Sequence, residues 1–287
     1  KIFIYMNYKP VKNAIGKSEI NTNETYIICE YIEVTGFSWA IVEDNNEIRR
    51  YLSNGLADLF NTLEAGNGEE ALEKLKDNEV DVIVTDVMMP VMDGIKLCKN
   101  VKQNIRTCHI PVIILSAKTD IKDQMEGLQM GADDYIPKPF SLAILTTKIQ
   151  NMMRTRRRML DKYAKSLEVE PEKITFNAMD EALLKRAMAI VEKNMDNIEF
   201  STDEFAREMN MSRSNLHLKL KAITGESTID FIRKIRFNEA AKLLKDGRYT
   251  VAEVSTMVGF NTPSYFATSF KKYFGCLPTE YIKKSKG

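Results

Sequence analysis

Asp81-Val-Ile-Val-Thr-Asp86-Val-Met-Met-Pro90-Val-Met-Asp-Gly94 is an apolar run that closes on one carboxylate and then breaks into a Pro/Gly loop. Val80, Val82, Ile83 and Val84 form the β-branched run of a strand buried on both faces, and Pro90 and Gly94 end it in a turn. This places Asp86 at the carboxyl end of a central strand, where open α/β sheets collect ligands and chemistry. A turn or helix-capping Asp fits this stretch equally well when it is taken alone.

Working outward, a strand–helix alternation starts near Phe37. Trp39–Val42 is a short strand ending in Glu43-Asp44-Asn45, and residues 47–60 carry Ile48, Leu52, Leu56 and Leu59 at helical spacing. Thr62–Ala65 and Pro111–Leu115 read as further strands, the second ending at Ser116. Asp134–Ile136 is a short last strand, ended by Lys138-Pro139. Helices are expected over 68–77, 95–101, 119–130 and 142–153. Five such units predict a doubly wound, five-stranded parallel sheet of the flavodoxin-like kind.

Parallel strands bring their carboxyl ends to one edge. Glu43, Asp44 and Asp86 therefore converge with Ser116 and Lys138. Like charges about 4 Å apart repel by roughly 4 kcal/mol at an effective dielectric of 20, so the cluster needs a cation or shifted protonation. All-oxygen ligands suit Mg²⁺. Singly, Lys138 also reads as a salt-bridge partner and Ser116 as a helix cap.

At 287 residues the chain is long enough for two domains, and 44% apolar with 28% charged residues is the composition of a soluble globular protein. No apolar run approaches a membrane span and no signal-peptide pattern opens the chain, so a cytoplasmic protein without membrane contact is expected. Cys29, Cys98, Cys108 and Cys276 are scattered with no C-x-x-C pair beside only two histidines, so neither a zinc site nor a disulfide framework is indicated. The net charge of +1 divides unevenly: residues 1–175 carry 23 Lys+Arg against 26 Asp+Glu, and residues 176–287 carry 18 against 14. A polyanion, if bound, belongs to the C-terminal half. Arg154 and Arg156–Arg158 form a basic joint that reads as a solvated face, and 166–175 reads as linker.

The C-terminal half reads as all helix, with an imperfect repeat. Ser201-Thr-Asp-Glu204 and Thr250-Val-Ala-Glu253 are both capping boxes, each followed by a short turn and a second capped helix, from Ser212 and from Thr262. Two helix-turn-helix units are thus joined by a helix over 228–246.

Glu43-Asp44-Asn45, Asp86 to Pro90 with Asp93-Gly94, Leu115-Ser116-Ala117 and Gly131 to Phe140 resemble the receiver domain of bacterial two-component response regulators. That resemblance implies that Asp86 takes a phosphoryl group from a phosphohistidine of a histidine kinase, that Glu43, Asp44, Asp86 and the Met88 carbonyl hold Mg²⁺, and that Ser116 and Lys138 bind phosphoryl oxygens. It makes Tyr135 the switch aromatic, the Lys138-Pro139 bond cis and the receiver its own slow phosphatase. Val258-Gly-Phe260, Ser264-Tyr-Phe266, Phe270 to Gly275 and Pro278 to Tyr281 resemble the DNA-binding domain of AraC/XylS-family regulators. The implied partner is double-stranded DNA, read by two helices in successive major grooves, with an active homodimer. Base contacts are expected from Arg213, Ser214, His217, Asn261, Thr262, Ser264 and Thr268, and phosphate contacts from Lys219, Lys221, Lys271, Lys272 and Arg236.

The expected layout is an extension over 1–36, a receiver over 37–155, a linker over 156–176 and the DNA-binding domain over 177–287. Residues 1–20 resemble the end of a histidine kinase ATP-binding domain, as in a hybrid sensor/regulator. The missing initiator Met reads equally as a fragment or as trimming. No ATP-binding glycine box is present, so phosphorylation has to come from a donor. A receiver serving mainly as a phosphate sink, beside constitutive DNA binding, is the alternative reading.

Overall fold

Five parallel strands form one sheet in the order β2-β1-β3-β4-β5: β1 Phe37–Val42, β2 Phe60–Ala65, β3 Val82–Asp86, β4 Val112–Ser116 and β5 Asp134–Pro137. The computed structural model describes residues 37–117, 131–165 and 170–285. The helix expected over 119–130, Cys29 and the kinase-like stretch lie outside them. The described residues all belong to one compact unit, Thr35–Gly287.

The sheet forms where the apolar runs require it. All of β3 and β4 is buried, and Trp39 at 0% exposure anchors β1 by donating from Nε1 to Thr62 Oγ1 at 2.7 Å. Among the described residues, α1 Asn46–Leu56, α2 Gly68–Lys74 and α3 Gly94–Gln103 pack beside it. Their starts are set by Asn45, Asn67 and Asp93, whose side chains accept amide protons of the first turn. Phe60, expected at the end of a helix, instead opens β2, where it is buried against Trp39.

Helix α4, Leu142–Lys165, runs unbroken for 24 residues through the basic joint. At 1.5 Å per residue it is about 36 Å long. Arg157, Arg158, Asp161 and Lys162 keep one side of its far end exposed, while on the other side Tyr163 is 2% exposed and packs in the core of the C-terminal half. Lys234, fully buried, donates to the Tyr163 carbonyl at 2.6 Å and to Glu226 at 3.1 Å, and lies over the Tyr163 ring. A one-turn helix, α5 Pro171–Ile174, forms inside the expected linker, with proline at its first position.

The C-terminal half continues with α6 Ala178–Lys193, α7 Thr202–Glu208, α8 Arg213–Thr224, α9 Thr228–Asp246, α10 Val251–Met257, α11 Pro263–Phe274 and α12 Pro278–Ser285. Both capping boxes form. Helices α7/α8 and α10/α11 are the two helix-turn-helix pairs. The central α9 lends Phe231, Ile232 and Ile235 to one core, and Phe237, Ala240 and Leu244 to the other. Among the described residues no helix is long and apolar enough to cross a membrane.

Candidate functional site

Strand register assembles the candidate groups. Val42 pairs with Thr85, so the next residues, Glu43 and Asp86, emerge side by side. Ser116 pairs with Pro137, which puts Ser116 and Lys138 on the same edge. The strand order reverses between β1 and β3, the point where such sheets open a crevice.

The resulting cluster is tight. Glu43 is 1% and Asp86 8% exposed, Asp44 is open to solvent, and carboxylate oxygens of the three lie within 4.8 Å of one another. The Lys138 ammonium bridges Glu43 Oε2 at 2.9 Å and Asp86 Oδ2 at 3.0 Å, while Asp86 Oδ1 accepts the Val87 amide at 2.8 Å. Burial pushes the Glu43 carboxyl above its ordinary range; the Lys138 hydrogen bond offsets part of this and the Asp86 charge adds to it. Burial alone would lower the Lys138 ammonium, but the hydrogen bonds it donates to Glu43 and Asp86 reverse this and hold it above its usual value. One ammonium against three carboxylates leaves negative charge at an all-oxygen site, which a hard divalent cation such as Mg²⁺ fits.

The loop after Asp86 closes directly over the strand end. A Cβ at Gly94 would stand 1.9 Å from the Asp86 carbonyl oxygen, so only glycine permits the approach. Val91, exposed, has φ +67°, and Met92 N–H donates to the Pro90 carbonyl at 2.7 Å across a three-residue turn. That backbone is strained for a β-branched residue. Ser116 is buried, Tyr135 is half-buried beside the sheet core, Met88 is exposed and the Lys138-Pro139 bond is cis.

The helical half presents two polar faces. On α8, Arg213, Ser214 and Lys221 are exposed and His217 is half-buried, within 3.4 Å of Thr228 Oγ1 through its Nδ1. On and before α11, Asn261, Thr262, Ser264, Thr268, Lys271 and Lys272 are exposed. Thr262 also caps α11 by accepting from the Tyr265 amide.

Two expected phosphate contacts are corrected by burial. Lys219 is 1% exposed and pairs with Asp180 at 2.6 Å. Arg236 is 8% exposed and donates to the carbonyls of Gly259 at 2.9 Å and Asn197 at 2.7 Å, stapling α9 to the second turn. Lysine and arginine stems reach inward when polar acceptors wait there, which residue type does not disclose. Two other residues were missed. Arg49 spans the Glu43 carbonyl and Glu64, and Leu218 lies exposed on the open face of α8. Periodicity could have found Leu218, since Leu216, Leu220 and Ile223 already fill the core side of that helix.

Sheet order, strand-end carboxylates and paired helix-turn-helix units define a receiver joined to a DNA-binding module. Residues 40–150 match the response regulator receiver domain and residues 205–284 match a helix-turn-helix domain of the AraC type. The chain therefore carries a response regulator receiver domain followed by that helix-turn-helix domain. It is 39% identical over 241 residues to Histidine kinase P4 of Formosa agariphila, covering 84% of this chain and 18% of that protein. It is 42% identical over 115 residues to the probable transcriptional regulator ycf27 of Cyanidium caldarium, covering 40% of this chain and 45% of that one. The Francisella response regulator 1452 receiver domain is 38% identical, with 42% of this chain and 98% of that chain covered and a TM-score of 0.39. The chain thus spans 18% and 45% of the length of these two relatives.

Proposed function

We propose that this chain is a phosphorylation-controlled, DNA-binding transcription regulator, and that it forms the output end of a hybrid sensor kinase. The carrying observation is the buried Asp86 carboxylate, held between Lys138 and its own backbone beside Glu43. A carboxylate in this setting is oriented and charged, as a nucleophile toward phosphorus requires. Asp86 forms a P–O bond while the P–N bond to the donor imidazole breaks, and the histidine nitrogen keeps the electron pair. Lys138 turns from carboxylate partner to counter-charge for the phosphoryl oxygens, with the Ser116 hydroxyl as the second donor. Glu43, Asp44, Asp86 and the Met88 carbonyl would hold Mg²⁺, which supplies charge neutralisation for phosphoryl transfer. The strained turn at Val91 and the half-buried Tyr135 are the neighbouring elements positioned to respond.

In the helical half, Arg213, Ser214 and His217 on α8, and Asn261, Thr262, Ser264 and Thr268 at α11, read base edges. Lys221, Lys271 and Lys272 meet phosphate. The upstream kinase is supported by the Formosa relative, whose name is that of a histidine kinase and which aligns over 84% of this chain. The reading is tested by Asp86→Asn: labelling from a small phosphodonor in Mg²⁺ should vanish, and with it any donor-stimulated DNA binding. Stimulation that survives the substitution would overturn the switch, whereas wild-type DNA binding that the donor leaves unchanged would favour the phosphate-sink alternative.

A further inference from the structure

Leu218 and Ile229 are large aliphatic side chains left 38% and 47% exposed, and they line one cleft of about 490 Å³ on the helical half. Local structure brings them together. Leu216, Leu220 and Ile223 turn α8 onto the core, so Ser214 and Leu218, four residues apart, share its outer side with His217. Gly225, at φ +76°, ends α8 in the left-handed region, and Ser227 caps α9 by accepting the Asp230 amide at 3.2 Å. The chain thus turns back on α8, with Thr228 Oγ1 3.4 Å from His217 Nδ1, and Ile229 follows in the first turn of α9.

The geometry points to a thymine-reading slot: Leu218 of α8 and Ile229 of α9 take the 5-methyl group of a thymine in the major groove and add an apolar specificity determinant beside Arg213 and His217. This rests on the DNA-binding reading above. Every residue lining the cleft belongs to the helical half, and Arg213, Ser214 and His217 are among them. The apolar walls therefore stand among the polar groups assigned to base edges. On the major-groove side of B-DNA the thymine methyl is the one sizeable apolar group that a base presents; cytosine bears only a hydrogen at the same carbon.

The polar lining fits the same base. Thymine shows an acceptor, O4, next to its methyl, whereas cytosine shows the N4 amino donor at the corresponding place. Arg213 can only donate, so it suits the thymine edge and meets the cytosine edge donor to donor. Neither Leu218 nor Ile229 belongs to the two helical cores, so covering a methyl group gives them an apolar contact that folding leaves unmade. For the same reason either side chain can be shortened without opening a core.

The experiment uses the full chain with Mg²⁺ and beryllofluoride, a phosphoryl mimic, and a duplex that this protein selects from a random pool. Each thymine of that duplex is replaced in turn by deoxyuridine, which keeps the base pair and O4 and deletes only the methyl. Affinities are read by fluorescence anisotropy at fixed salt. At one thymine in the half-site of α8, wild type should bind the uracil duplex about fourfold more weakly, the worth of one buried methyl group. In Leu218→Ala, and separately in Ile229→Ala, that penalty should shrink to less than about 1.7-fold, with circular dichroism confirming the fold. Cytosine at the same position should cost wild type more than uracil does. Wild type indifferent to every uracil replacement, or a penalty that survives undiminished in both alanine variants, overturns the slot while leaving DNA binding intact. If wild type selects no duplex at all, the DNA-binding reading fails, and the slot with it.

Discussion

Replacing Lys138 with Met tests the electrostatics of the acidic edge directly. Lys138 is the cation that bridges Glu43 and Asp86, and their carboxylate oxygens lie within 4.8 Å of each other. Without it, two ionised carboxylates at that distance repel by roughly 3.5 kcal/mol at an effective dielectric of 20. Glu43, already pushed upward by burial, then keeps its proton to higher pH. The sign follows from proton counting: a carboxyl raised on folding binds more protons in the folded state, so stability is lost as pH rises through the window above the ordinary carboxylate range. Urea unfolding of wild type and Lys138→Met at pH 5 and pH 8 measures this. Trp39 is the only tryptophan and is fully buried in β1, so its fluorescence follows the receiver. Relative to wild type, the variant should lose about 3 kcal/mol more at pH 8 than at pH 5. Adding Asp86→Asn should remove most of that difference, because one of the two charges is gone, and 10 mM Mg²⁺ should restore stability to the single variant. Parallel pH profiles for wild type and Lys138→Met, within about 0.5 kcal/mol, would refute the reasoning.

Gly94→Ala drives a methyl into the Asp86 carbonyl and should cost the receiver about 3 kcal/mol or more, read as an early Trp39 unfolding transition. His109 is held at a pKa of about 2, far below its ordinary value, first by burial and then by the Lys219 charge. The unfolded chain binds that proton below about pH 6.5, so stability present above this value is lost as pH falls, by about 1.4 kcal/mol at pH 5.5. His109→Gln should flatten that acid limb in urea titrations. Arg213→Ala should weaken selected-duplex binding about 5- to 150-fold and non-specific binding much less, by fluorescence anisotropy at fixed salt. Equal losses would reassign Arg213 to the phosphate backbone.

Much of the fold was legible because its signals are local. β-Branched runs ending on Asp86 and Ser116 specify buried strands, and Ser201-x-x-Glu204 and Thr250-x-x-Glu253 specify helix starts, each from fewer than ten neighbouring residues. The boundary errors have the same origin. Phe60 suits either a helix face or a strand until Trp39 is beside it, and the helix through Arg154–Arg158 looks like a solvated joint until Tyr163 is seen to dock at its end.

Electrostatic partners were the illegible part. Lys219 and Arg236 stand on helices where a basic residue ordinarily faces water or phosphate, and nothing within a turn of either shows what lies beneath. Lys219 meets Asp180 from 39 residues away and Cys108 from 111 away, and Arg236 meets Asn197 from 39 away. By itself, the order of residues determined which side chains stand at each strand end and helix start, since strand alternation and capping are settled by near neighbours. The tertiary structure alone decided which cations are spent on buried carboxylates and carbonyls, and that Cys108, His109 and Arg156 lie against α8. Those outcomes depend on distances through space between groups far apart in the chain, and the desolvation that binds them exists only once both surfaces have closed.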